Sequence, residues 1–142
     1  MKLIPWETPF FTKPLPSVLV RSDLECCNSV ELVVAPYGIY KYPKYRLSFE
    51  TAFGYRCTDE SFAPVALINR IAPSGPRGST YRWLESAWLL EFEETRSLWD
   101  LQHPELFHFI LLGGDLIVEV IAPEPPGITE VSASMELPGI RI

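Results

Sequence analysis

Residues 44–58 read KYRLSFETAFGYRCT. Tyr45, Leu47, Phe49, Phe53, Tyr55 and Cys57 share one parity, while Lys44, Arg46, Ser48, Glu50, Arg56 and Thr58 share the other. A period of two is the signature of a strand with one face in a core and one toward water. A helix would scatter these aromatics around its circumference. The pattern predicts a strand bent near 51–54, because a typical strand spans only about five to six residues. It assigns Cys57 to the core-facing set and Lys44, Arg46 and Glu50 to the wet face.

The β-branched runs at 18–20 and 30–34 also read as strands, separated by a turn near Cys27-Asn28. Residues 62–72 read as a short helix, with Pro64 suited to its first position. Residues 69–80, rich in Pro, Gly and Ser, read as an exposed loop. Tyr81 and Trp83 alternate like a strand, and the period changes beyond Ser86. Trp88, Leu89, Phe92, Arg96 and Trp99 recur every three or four residues, which is one face of a helix. Ser86 is a suitable cap for it, and Pro104 stops it.

Two apolar runs, 107–112 and 116–122, flank Gly113-Gly114-Asp115 and predict a tight hairpin. The turn residues are either Gly113-Gly114 or Gly114-Asp115. The first choice sets Phe107 opposite Val120, Phe109 opposite Val118, and His108 opposite Glu119.

The flanks differ in character. Residues 1–16 hold Pro5, Pro9, Pro14 and Pro16 beside Trp6, Phe10 and Phe11, and read as an extended arm without regular secondary structure. Its aromatics are too apolar to stay in water. The arm therefore packs across its own domain or crosses to a second subunit of a homodimer. Residues 17–122 form the core domain, and 123–142, opening with PEPPG, a loosely docked tail. Together these elements predict a single α+β domain: a mainly antiparallel sheet, curved or barrel-like, with one or two helices.

Composition narrows the function. A chain of 142 residues with 47% hydrophobic content fills one core unaided. Its net charge of −6, with basic residues scattered, argues against tracking nucleic-acid phosphates and favours a basic protein partner. No stretch of 18 apolar residues suggests a membrane span, and three cysteines without CxxC spacing fit reduced thiols, so the cytoplasm is the expected compartment.

Candidate chemistry is sparse. There is no GxSxG, P-loop or GxGxxG motif, and no metal-ligand spacing among His103, His108 and the cysteines. No cofactor is expected. His108 with Glu119 is the sharpest polar feature: an acid–base pair, or simply a hydrogen-bonded pair beside a core. Arg46 and Arg56, on the polar parity of the long strand, are candidates for lining an anion or partner site.

An amphipathic strand ends in Asp59-Glu60. A second runs through Trp83 and Glu85 into Ser86-Ala87-Trp88-Leu89. A hairpin from His108-Phe109-Ile110 to Val118-Glu119-Val120-Ile121-Ala122 closes the series. Over residues 45–122 this succession resembles small uncharacterised bacterial domains, some of which act as immunity proteins that block a toxin. The absent motifs, the acidic charge and the surplus of aromatics point to a non-enzymatic protein-binding module, of which toxin neutralisation is one concrete version; the resemblance assigns a role to no individual residue. The other reading is a small-ligand or enzymatic pocket enclosed by a curved sheet, using His108, Glu119, Arg46 or Arg56.

Overall fold

The computed structural model describes residues 2–13, 17–23, 28–35, 43–59, 78–99, 105–114 and 116–131. The helix expected at 62–72, the turn at Cys27 and the chain beyond 131 lie outside these residues.

The described elements are β1 (Lys2–Pro5), β2 (Ser17–Asp23), β3 (Ser29–Ala35), β4 (Lys44–Phe49) and β5 (Gly54–Asp59), then β6 (Thr80–Leu84) and α1 (Ala87–Trp99). The series closes with β7 (Phe107–Leu112), β8 (Leu116–Ala122) and β9 (Gly127–Val131). The strands form two antiparallel sheets, β1-β6-β7-β8-β5 and β2-β3-β4-β9, and no barrel closes among the described residues. The expected α+β class with a mainly antiparallel sheet is therefore present, divided between two sheets.

Alternation explains how the sheets meet. Leu32 and Val34 of β3, Leu47 and Phe49 of β4, Phe109 and Leu111 of β7, and Val118 and Val120 of β8 form one buried cluster between them. Tilted aromatic contacts knit it, Phe49 to Phe109 at 5.5 Å and Trp6 to Phe109 at 4.8 Å between ring centroids. The opposite face of the five-stranded sheet is apolar too. Tyr81, Trp83, Ile110 and Ile117 form one patch, and Ile121 meets Leu89 and Leu106 beneath the helix.

The expected long strand is two strands in different sheets. The chain crosses between them at 50–53, where the Ala52 N–H donates to the Asn28 carbonyl and the Phe53 N–H to the Ile121 carbonyl. Gly54 opens β5 against α1: a Cβ there would lie 2.7 Å from the Phe92 ring. Two parity assignments need correction. Cys57 is exposed, because β5 is the edge of its sheet. Lys44 is buried, because β4 is flanked by β3 and also by β9, whose Val131 pairs with it. The supposed tail supplies that strand.

The N-terminal arm is also corrected. Residues 2–5 form a strand on the edge of the five-stranded sheet, pairing with β6. Pro5 ends it, and an edge position tolerates the missing donor. Beyond it, Trp6, Phe10 and Phe11 pack on their own chain. Phe10 is wholly buried, and Phe11 meets the Tyr81 ring edge-on at 6.0 Å.

The hairpin takes the second of its two predicted turns. The Gly113 N–H donates to the Leu116 carbonyl, and Leu112 pairs with Ile117, the register of that second option. Phe109 pairs with Val120 and His108 with Ile121. Direct opposition of His108 and Glu119 is therefore corrected.

Candidate functional site

Three neighbouring strands bring polar side chains to the helix-covered face of the sheet. Arg56 of β5 sits directly opposite Glu119 of β8. Glu119 in turn lies one diagonal step from His108 of β7, whose direct partner is Ile121. Diagonal neighbours on one face stand within reach of long side chains. His108 Nε2 meets Glu119 Oε1 at 2.8 Å, so the pair forms without direct opposition. The Arg56 guanidinium grips the same carboxylate with two donors, Nε at 2.7 Å from Oε2 and Nη2 at 3.0 Å from Oε1.

The other end of the chain is the helix. Ser86 Oγ lies 2.6 Å from His108 Nδ1 and accepts the Leu89 N–H at 3.1 Å, capping α1 as its sequence position predicts. Two indoles enclose the imidazole. Trp83 stacks on it with centroids 5.7 Å apart, and Trp88 approaches edge-on at 5.3 Å. The Arg56 guanidinium lies 4.3 Å from the Trp88 ring centre, a favourable cation–π position. Ser86, His108 and Glu119 are all buried, whereas the Arg56 side chain remains 40% exposed.

One proton arrangement satisfies every atom. The His108 Nε2–H donates to Glu119, and Nδ1 accepts the Ser86 hydroxyl. Burial pushes the Glu119 carboxyl up, but hydrogen bonds from His108 and Arg56 and the adjacent guanidinium outweigh it. They hold Glu119 below the usual carboxylate range. The residue types are those of a Ser–His–Glu relay, yet the geometry serves another purpose. The Ser86 oxygen is occupied as a helix cap. The Glu119 carboxylate is gripped by two Arg56 donors as well as by His108. The network fastens the start of α1 to β7, β8 and β5.

Beside this network the sheet opens. β6 continues to Leu84 and β7 begins at Phe107, but their pairing stops at Arg82 and Phe109. Just after β6, Glu85 takes a left-handed φ of 56° and turns the chain into α1. A groove of about 500 Å3 lies there, with Trp83, Leu89 and Leu106 in its apolar lining and Glu85, Glu93 and Glu105 as its carboxylates. Arg82 is the one Lys or Arg among the described residues that line it. Glu93 also accepts the Leu106 N–H at 3.1 Å, which ties the segment before β7 to α1. Leu90, also in the lining, is 52% exposed, the only large apolar side chain that stands out in water among the described residues.

Of the four residues proposed from sequence, His108, Glu119 and Arg56 assemble and Arg46 does not. Arg46 lies in the other sheet, between Val33 and Thr129. The sequence reading identified Ser86 only as a cap and missed its bond to His108. It also missed Trp83 and Trp88 as walls of the network, although both fall where the strand period gives way to the helix period. Among the described residues no three His, Cys, Asp or Glu side chains gather to hold a metal. Partial burial pushes the Cys57 thiol up, away from ready reactivity. Comparison with family models, curated proteins and solved structures finds no match to this chain.

Proposed function

We propose that this chain is a protein-recognition module that engages a basic partner through the first half of α1 and the groove beside it. The observation that carries the proposal is the exposed apolar Leu90 among carboxylates. Glu91 and Glu94 follow it on the helix, and Glu85 and Glu105 stand exposed nearby. An apolar centre within a charged rim is the usual anatomy of a recognition surface. The acidic rim agrees in sign with the chain's net charge of −6 and would steer a basic protein toward it. Toxin neutralisation by an immunity-type protein is one concrete form of this role. The small-ligand reading has less support, because only His108 of its four polar candidates lines the groove.

The test is affinity capture from the source cells with wild-type protein, Leu90→Arg, and a Glu91→Lys/Glu94→Lys double variant. Ser22→Ala, at an exposed position of β2 in the other sheet, serves as a control. A basic protein should be retained by the wild type and the control, released by rising salt, and lost with both α1 variants. Capture that is indifferent to the α1 variants, or whose partner is acidic, would overturn the proposal.

A further inference from the structure

Resting on that reading, we infer that Glu119 is the positioning residue of the α1 surface: through His108 its carboxylate holds Ser86, so the first turn of α1, which carries Leu90, keeps its place only while that carboxylate is charged. The geometry is a continuous relay. Glu119 Oε1 accepts the His108 Nε2–H at 2.8 Å, His108 Nδ1 accepts the Ser86 hydroxyl at 2.6 Å, and Ser86 Oγ accepts the Leu89 N–H at 3.1 Å. The Ser86 carbonyl accepts the Leu90 N–H at 2.9 Å, so Leu90 hangs on the residue in which the relay ends. A carboxylate that takes the Nε2–H leaves Nδ1 as an acceptor, and this fixes the direction of the Ser86 hydroxyl. A protonated Glu119 would carry an O–H facing three donors, two from Arg56 and one from His108. It is satisfied only by reversing the ring, so that Nε2 accepts, Nδ1–H donates to Ser86, and the Ser86 hydroxyl loses its acceptor.

The effect is local because of where the relay lies. Among the described residues, the charged or titratable groups facing Glu119 are Arg56 of β5 and His108 of β7, while α1 and the residue that caps it bring Trp88 and Ser86, which carry no charge. Burial pushes the Glu119 carboxyl up, but the bonds from His108 and Arg56 outweigh it and hold it below the usual range. Its charge is therefore complete at neutral pH and is lost as the pH falls through that lowered value. On the opposite face of the sheet, the buried members of the inter-sheet cluster are all apolar, so the same protonation has nothing to act on there. The junction itself adds to the bias. Glu85 stands at a left-handed φ of 56° immediately before Ser86, a conformation that a non-glycine residue keeps only while its surroundings hold it.

The experiment follows amide hydrogen exchange of the 15N-labelled full chain from pH 7 to pH 3, expressed as protection factors. The Leu89 and Leu90 amides should lose about tenfold in protection below about pH 4.3, the ordinary glutamate value, while the β3 and β4 amides keep theirs. Glu119→Gln, and His108→Phe, which keeps a ring but cuts the relay, should start low at pH 7 and show no such fall. The wild-type profile stands by itself if either variant fails to fold. Protection lost equally in β3 and β4, or a fall centred near pH 6.5, the ordinary histidine value, overturns the inference. So does a Leu89 profile that either folded variant leaves unchanged. Glu119 is wholly buried and touches no partner, so Glu119→Gln should weaken binding of the captured basic protein about tenfold at pH 7 through α1 alone. If that partner is captured through Leu90 while Leu89 protection is indifferent to Glu119, the positioning role fails alone. If protection behaves as expected but no basic partner is captured, the module reading fails and the positioning role stands.

Discussion

Glu119→Gln tests the buried network most directly, because it keeps the side chain's size and removes its charge. The carboxylate accepts three bonds, one from His108 and two from Arg56. An amide can accept on its single oxygen, and its NH2 group then faces guanidinium donors. Breaking a buried ion pair by removing one partner typically costs about 3–5 kcal/mol. The Arg56 side chain, 40% exposed, can turn toward water and recover part of that loss. Hydrogen bonds to a charged group are worth about 1.5–3 kcal/mol each, so a net cost of about 2–3 kcal/mol is expected. At this chain length roughly 3–4 °C is lost per kcal/mol, so the melting temperature should fall by on the order of 10 °C at pH 7. The pH dependence gives a second reading. The Glu119 carboxyl is held below its unfolded range of about 4.3. Its contribution is therefore complete above that value and is lost as the pH falls through the lowered one. The gap between wild type and Glu119→Gln should narrow from pH 7 toward pH 3. Thermal unfolding followed by far-ultraviolet circular dichroism at pH 7, 5 and 3 measures both effects. A variant melting within 1 °C of wild type at pH 7, or a gap that stays constant or widens in acid, would refute the reasoning.

Two further outcomes follow from packing. A Cβ at Gly78 would lie 2.0 Å from the Phe11 ring, whereas one at Gly127 meets nothing within 4 Å. Gly78→Ala should therefore cost about 1–3 kcal/mol in urea unfolding, with Gly127→Ala far closer to neutral. Deleting residues 2–5 removes β1 and bares the edge of β6, so the truncated protein should melt lower and self-associate in sizing runs. Unchanged melting would show that β1 is not part of the stable sheet.

Some features were legible in the sequence because they depend only on the faces of single elements. The helix after Ser86 and the alternation of 107–112 and 116–122 are such cases. The hairpin register was not, for a definite reason. The two possible turns differ by two residues in pairing, and a shift of two leaves every side chain on its original face. Both registers bury Phe109 and Val118 together, so hydrophobic patterning cannot choose between them. The choice rests on the bond from Gly113 to Leu116, a local event of the turn. The same parity argument explains why His108 and Glu119 still meet: they share a face in either register, and only the directness of their contact changes.

Alternation tells which residues share a face, but not what covers that face. Arg56 was assigned to the wet side of a long strand together with Arg46, and by parity alone the assignment was reasonable. The strand then divides between two sheets, so the two arginines end on different surfaces. The face bearing Arg56 is roofed by Trp88 at the start of α1, and burial turns Glu119 from a surface acid into the centre of a network. A charged carboxylate with no exposure persists only where opposite charge and hydrogen bonds surround it, and Arg56 and His108 supply both. The network therefore requires the helix, and the helix is capped by a serine that the network holds. Where this mutual support ends, past the last β6–β7 pair, the sheet parts and the acidic groove begins.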